Sequence, residues 1–379
     1  MKIDSIQINN LRNHKRTELD FNEGVNLLIG LNGAGKTTVL EGISICGFSK
    51  SFLPVSDSSL ISQDEEFYNV SLVAENDIEI NYKINVRFIP GMRKIINSSL
   101  GENLLAKDII GEIPLVILSP DFKNITFGSP QDRREFIDRL LSQASKIYLE
   151  EAINYKRALR QRNNLLSNAK LDRQFDYSLL DPWTEILLKS GSELIIRRLK
   201  FISDFVPVFR DIYGMITEAD EVVNLEYSSN GIDKEILNNF SVQKDVYDYL
   251  NISSKKLLKN EIKRGVTLFG PQKDDLRITI NDGIAKEYAS QGQHKSLLIS
   301  LKFAEYNFLK NKKNETPIIL LDDIFSELDK ERTKKVFDMI INNQCQTFIT
   351  STEETEMKKL LKNYDKCKFF EVDKGKIKQ

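Results

Sequence analysis

The sequence predicts an α/β fold, a nucleotide-binding head on a mixed sheet with an antiparallel layer, interrupted by an inserted α-helical arm. Three observations lead there. An apolar run, Val25-Asn26-Leu27-Leu28-Ile29, feeds Gly30-Leu31-Asn32-Gly33-Ala34-Gly35-Lys36-Thr37-Thr38 and then a helical stretch through Val39, Leu40 and Ile43, the strand, glycine loop and helix order of a P-loop. A second apolar run, Pro317-Ile318-Ile319-Leu320-Leu321, ends in Asp322-Asp323. Between the two, from Ser129, the apolar spacing changes to the four-three repeat of long helices. The expected division is a first head lobe over 1–128, an inserted arm with its return over 129–260, and a second head lobe over 261–379.

The elements follow in order. Residues 1 to about 29 read as short strands, with Ile6 and Ile8 alternating with polar neighbours, then Leu19 and Phe21. Ile78, Ile80, Tyr82, Ile84, Val86 and Phe88 alternate strictly and end at the Pro90-Gly91 turn, an antiparallel strand rather than a crossover helix. Leu115-Val116-Ile117-Leu118 closes the first lobe as a buried strand. Ser129-Pro130-Gln131-Asp132 has a serine cap, proline at the first helical position and an acid in the first turn. Tyr148, Ala152, Tyr155, Leu159 and Leu166 form an apolar stripe interrupted by Arg162, and Ile195, Leu199, Ile202, Val206 and Phe209 form a second one beyond the Asp181-Pro182 breaker. Two long helices packed as a hairpin fit this pattern. Leu237, Val246, Tyr249 and Leu250 anchor a mixed return segment.

Composition narrows the chemistry. The 379 residues carry a formal net charge of -1 with 29% charged residues, so any polyanion contact must be a local patch. Cys46, Cys345 and Cys367 lie far apart, and His14 and His294 are the two histidines, which suggests neither a disulfide framework nor a zinc site. The start, Met1-Lys2-Ile3-Asp4-Ser5, has no signal-peptide core, and no apolar run approaches the roughly 20 residues of a membrane span. A cytoplasmic protein without membrane contact is expected.

The glycine loop lets backbone N–H groups face a polyphosphate at the positive end of a helix. Lys36 is placed to reach the terminal phosphates and Thr37 to ligate Mg²⁺. A buried strand that delivers Asp322 and Asp323 at its carboxyl end supplies the other half: Asp322 for the metal, Asp323 to polarise the attacking water. Ser290-Gln291-Gly292-Gln293 precedes an apolar helical run and makes a second anion-binding feature.

The P-loop, Ser290-Gln291-Gly292-Gln293, the strand with Asp322-Asp323 and Ser326-Glu327-Leu328-Asp329 together resemble the ATP-binding-cassette ATPases. That resemblance implies an ABC-type head in which Ser290, Gly292 and Gln293 of one copy cap the ATP held by another, with Asp329 in the D-loop and a homodimer as the active form. The helical insertion is similar to that of the SMC-like repair ATPases, in whose heads the turn at Arg12 and Asn13 lies near the nucleotide. Gly270-Pro271-Gln272-Lys273-Asp274-Asp275, Phe48-Ser49-Lys50-Ser51-Phe52 and Gly128-Ser129-Pro130-Gln131-Asp132-Arg133-Arg134 add a closer resemblance, to the RecF family of bacterial recombination mediators. It implies an ATP-dependent DNA-binding homodimer with slow hydrolysis. Such a protein acts at single-strand gaps and stalled forks with RecO and RecR to place RecA, in support of SOS induction.

Three departures bear on rate and role. Gln272 and Lys273 stand where RecF-like chains usually carry His-Arg. Asp323 replaces the glutamate of transport ATPases, and Thr350-Ser351-Thr352 replaces their switch histidine; a carboxylate one methylene shorter, with no histidine near the γ-phosphate, predicts slow turnover. Candidate DNA contacts are Lys156, Arg157, Arg160 and Arg162 on the arm, and Lys255, Lys256, Lys259, Lys263 and Arg264 further on. Solvated helical faces are the alternative for both runs. The other functional reading is the cytosolic ATPase subunit of an ABC transporter, which shares the core motifs. The helical insertion, the missing switch histidine and Leu118-Ser119-Pro120-Asp121 in place of a clear glutamine loop argue against it.

Overall fold

The structure, a computed structural model, describes residues 1–171, 174–217, 220–229, 232–362 and 364–378. The chain divides into two compact units, one comprising Met1–Lys123, Ile212–Glu218 and Lys295–Gln379, the other Asn124–Asp211 and Ala219–His294.

The first unit contains two sheets. One is antiparallel, in the order His14–Asp20, Lys2–Leu11, Tyr68–Glu75, Asn81–Phe88, Ile95–Ser98. Its strands alternate buried and open residues, as a half-covered layer must. The other runs Lys376–Lys378, Cys367–Asp373, Val25–Ile29, Thr347–Ser351, Ile318–Asp322, Leu115–Leu118, parallel throughout except for its first pair. Val25–Ile29, Thr347–Ser351, Ile318–Asp322 and Leu115–Leu118 are buried at every position, which explains the mostly apolar runs of the P-loop strand, the acid-bearing strand and Leu115–Leu118. The expected mixed sheet with an antiparallel layer is therefore present, with one change of detail. Ile78 and Ile80 are exposed in the turn before Asn81–Phe88, while the alternation of Tyr68, Val70, Leu72 and Ala74 makes a strand that the sequence reading passed over.

The second unit holds a three-stranded antiparallel sheet, Gly283–Ile284, Asp275–Ile280, Val223–Ser228, and most of the arm. Ser129 caps the helix Pro130–Ala144 as expected, its backbone N–H donating to the Asp132 carboxylate at 2.7 Å. The two arm helices are Lys146–Leu171, of 26 residues, and Asp181–Thr217, of 37 residues, the latter with Pro182 in its first turn, where the missing N–H costs nothing. The return segment folds as Val223–Ser228, Lys234–Asn239 and Gln243–Arg264. Segment 261–294, read from sequence with the second head lobe, belongs to this unit: Asp275–Ile280 pairs with Val223–Ser228, and Arg133 grips the Asp275 carboxylate at 2.8 and 2.9 Å.

Arg162 corrects the arm reading. It does not interrupt the apolar stripe but completes it, only 1% exposed, with Nη2 donating to Glu261 at 2.7 Å, Nη1 to Thr267 and Nε to Thr184, both at 2.9 Å. A fully buried guanidinium tied to a buried carboxylate cannot meet a DNA phosphate. Lys156, Arg157 and Arg160 of the same helix are exposed.

Candidate nucleotide-binding site

Strand order builds the site. The P-loop strand Val25–Ile29 and the acid-bearing strand Ile318–Asp322 are not neighbours; Thr347–Ser351 lies between them, with Thr350 in register with Leu28 on one side and Asp322 on the other. All three run parallel, so their carboxyl ends open on one edge, where parallel sheets bind ligands. The cleft there has a volume of about 400 Å³ and is lined by Arg12, Asn13, Asn32, Gly33, Gly35, Lys36, Thr37, Thr38, Glu41, Leu53, Asp323 and Thr350.

The loop is shaped for a backbone cradle. Gly33 and Gly35 have φ of +77° and +113°, conformations that a side chain resists. A Cβ on Gly35 would in addition meet His14 Nε2 at 2.6 Å and Asn13 Oδ1 at 2.7 Å. Those two residues brace the loop from behind: Asn13 Nδ2 donates to the Ala34 carbonyl at 2.9 Å, and His14 Nε2 donates to the Gly35 carbonyl at 3.0 Å. With Nε2 protonated, Nδ1 accepts the Thr17 hydroxyl at 2.8 Å. Burial pulls the His14 pKa below its ordinary value, against the Gly35 hydrogen bond, so the ring is neutral. From the far side the Gly375 N–H donates to the Ala34 carbonyl at 2.8 Å.

Lys36 donates to the carbonyls of Gly30 at 2.7 Å and Leu31 at 3.0 Å. Burial lowers its pKa, while Asp323 and Asp322 oppose that. Asp322 is the hub of the acidic side: Thr37 and Thr350 both donate hydroxyls to its Oδ1 at 2.8 Å. Burial raises its pKa above the ordinary carboxylate value; the two hydroxyls pull it back and Asp323 adds to the rise. Asp323 takes φ +49°, its N–H donating to the Thr350 hydroxyl at 2.9 Å. A left-handed aspartate costs on the order of 1 kcal/mol or more and persists where its surroundings fix it. The donor set fits Mg²⁺: hard oxygens, with Thr37 giving its proton to Asp322 and keeping its lone pairs for a metal.

Arg12, at φ +51°, is paired with the fully buried Glu41, Nε to Oε2 at 2.5 Å and Nη2 to Oε1 at 2.8 Å. Ser51 donates to the same carboxylate at 2.7 Å. Sequence reasoning missed Glu41, Leu53, His14 and Thr350 as parts of this site. A single acid inside a helix gives no sign that it faces inward.

The signature stretch lies in the second unit, where Ser290 and Gln293 form a reciprocal cap. The Ser290 N–H donates to Gln293 Oε1 at 2.7 Å and the Gln293 N–H to Ser290 Oγ at 3.2 Å, at the start of the helix Gln291–Lys313. Glu221 anchors the Gln293 amide at 2.7 Å, and Ser290 stays exposed. In the first unit Asp329 caps Lys330–Asn343, accepting the Arg332 N–H at 2.9 Å. Gln272, at the position of the usual His, accepts from the Tyr155 hydroxyl and donates to the Phe269 carbonyl at 2.7 Å; Lys273 is exposed.

Comparison with known proteins gives the family and the fold. Residues 2–377 match the family described as RecF/RecN/SMC N terminal domain. The DNA replication and repair protein RecF of Chloroherpeton thalassium is 37% identical over 94% of this chain and 96% of its own length; that of Staphylococcus carnosus is 31% identical over all of both chains. Among solved structures, the recombination mediator protein RecF with ATP superposes with a TM-score of 0.87 at 27% identity, covering 100% of this chain and 97% of the other. An Smc head bound to the C-winged helix domain of ScpA shares the fold, with a TM-score of 0.56 at 15% identity over 100% of this chain and 96% of the other. The chain belongs to the RecF family of DNA replication and repair proteins, an ABC-type, SMC-like head with an inserted helical arm.

Proposed function

We propose that this protein is an ATP-gated DNA clamp of recombinational repair. Two copies close over ATP, hold DNA at single-strand gaps or stalled forks, and let go after slow hydrolysis. The observation that carries this reading is the Thr37–Asp322–Thr350 cluster beside an intact P-loop, in a chain of the RecF family.

In this account the N–H groups of Gly33, Ala34 and Gly35 hold the phosphates of ATP, and Lys36 leaves the Gly30 and Leu31 carbonyls for the β- and γ-phosphates. Asn32 and Thr38 line the same cradle, with Arg12 and Asn13 at its mouth. Thr37 and Asp322 would hold Mg²⁺, which would supply positive charge to the phosphate oxygens. Asp323 orients the attacking water from its fixed left-handed turn. With no histidine among the described residues that line the cleft, turnover is slow enough for ATP to act as a timer. Ser290, Gly292 and Gln293 cap the nucleotide of the second copy, and Asp329 lies along the same interface.

DNA is held through phosphates by the exposed Lys156, Arg157 and Arg160, with the exposed Lys255, Lys256, Lys259, Lys263 and Arg264 as a second run, so that binding ignores sequence. RecO and RecR are the expected partners in placing RecA, in the cytoplasm and in support of SOS induction. Among the described residues no helix is long and apolar enough to cross a membrane.

The test is a loading assay. On gapped DNA coated with single-strand-binding protein, this chain with ATP, RecO and RecR should speed RecA filament assembly. ATP-dependent DNA binding without any acceleration would remove the loading role.

A further inference from the structure

Two large apolar side chains stand out from the solvent on the elements that handle nucleotide. Leu31, in the P-loop, is 81% exposed and Tyr288, two residues before Ser290, is 76% exposed; among the large apolar side chains described, Leu171 alone is more open. A single exposed leucine needs no explanation. Here the pair falls on the two stretches that a nucleotide sandwich brings face to face, each beside polar loop residues, Asn32 on one side and Ser290 and Gln291 on the other. An apolar anchor inside a polar rim is how protein interfaces are built, and tyrosine is favoured in that place.

We infer that, when ATP closes the dimer, Tyr288 of one copy packs on Leu31 of the second copy. The contact rests on the sandwich reading above. In a twofold dimer it occurs twice, once beside each nucleotide. It gives the exposed ring a purpose: covering the P-loop only when the opposite signature is seated.

The test uses the full chain with Asp323→Asn to preserve ATP. In sedimentation equilibrium, Tyr288→Ser should weaken ATP-dependent dimerisation about tenfold to a hundredfold, while ATP binding to each copy is unchanged. A mixture of Leu31→Cys chains and Tyr288→Cys chains, with Cys367→Ser in both, should give a covalent dimer with a short bis-maleimide in ATP and none in ADP; Cys46 and Cys345 are buried. An undiminished Tyr288→Ser dimer overturns the inference, and so does a weakened one that gives no crosslink. Failure of the sandwich reading looks different: Asp323→Asn itself stays monomeric with ATP, or Ser290→Arg dimerises as well as the parent.

Discussion

Thr350 donates its hydroxyl proton to Asp322 Oδ1 at 2.8 Å, and its oxygen in turn accepts the Asp323 N–H at 2.9 Å. One side chain thus sets the position of both acids. Thr350→Val keeps the shape and removes both bonds, so kcat for ATP hydrolysis should fall about ten- to a hundredfold, as a small misplacement of a reacting group does. KM for ATP should move less than about threefold, and Thr350→Ser should restore the rate. Unchanged turnover in Thr350→Val would show that Asp323 is held by other means.

That relationship was out of reach of the sequence, although its parts were visible. The P-loop, the Asp322-Asp323 strand and the alternating strands are local patterns, and the fold follows from them. Thr350 enters the site because its strand is inserted between the two motif strands, a pairing fixed by tertiary structure. Arg162 failed for the opposite reason. A basic residue on a helix reads as surface, and partners remote in sequence, above all Glu261, 99 positions away, make it a core residue.

The Arg162–Glu261 pair, 1% and 0% exposed, should behave as buried pairs do when one partner is lost. Arg162→Ala leaves the Glu261 charge uncompensated and should cost about 3–5 kcal/mol, read as a lower thermal midpoint. Arg160→Ala, at an exposed position of the same helix, should leave the midpoint within about 0.5 kcal/mol equivalents of the parent. Equal midpoints for the two variants would contradict the burial of Arg162.

The exposed arm cations should register in salt dependence. Each phosphate contact contributes roughly 0.9 to the slope of log K against log salt. Replacing Lys156, Arg157 and Arg160 together by alanine should lower the slope by up to about 2.7 for each copy that touches duplex DNA, evenly across sequences. A slope that stays at the parent value would place DNA elsewhere on the protein.

His14 predicts a pH effect with a definite sign. Burial holds its folded pKa below the ordinary 6.5, so its contribution to stability is complete above pH 6.5 and is lost as the pH falls through the folded value. His14→Gln can still donate to the Gly35 carbonyl and does not titrate there. The thermal midpoint of the parent should therefore drop more than that of His14→Gln between pH 8 and pH 5.5. Parallel drops would mean that His14 is not the group responsible; His294, whose pKa burial also lowers, is common to both proteins.

The most direct test of the clamp is fluorescence anisotropy of Asp323→Asn on a tailed duplex at one fixed salt concentration, with ATP and with ADP. A ligand shifts a population only through its differential affinity for two states, so ATP should tighten DNA binding and ADP should not. Equal affinity with the two nucleotides would contradict the clamp and leave the ATP site to control protein partners instead.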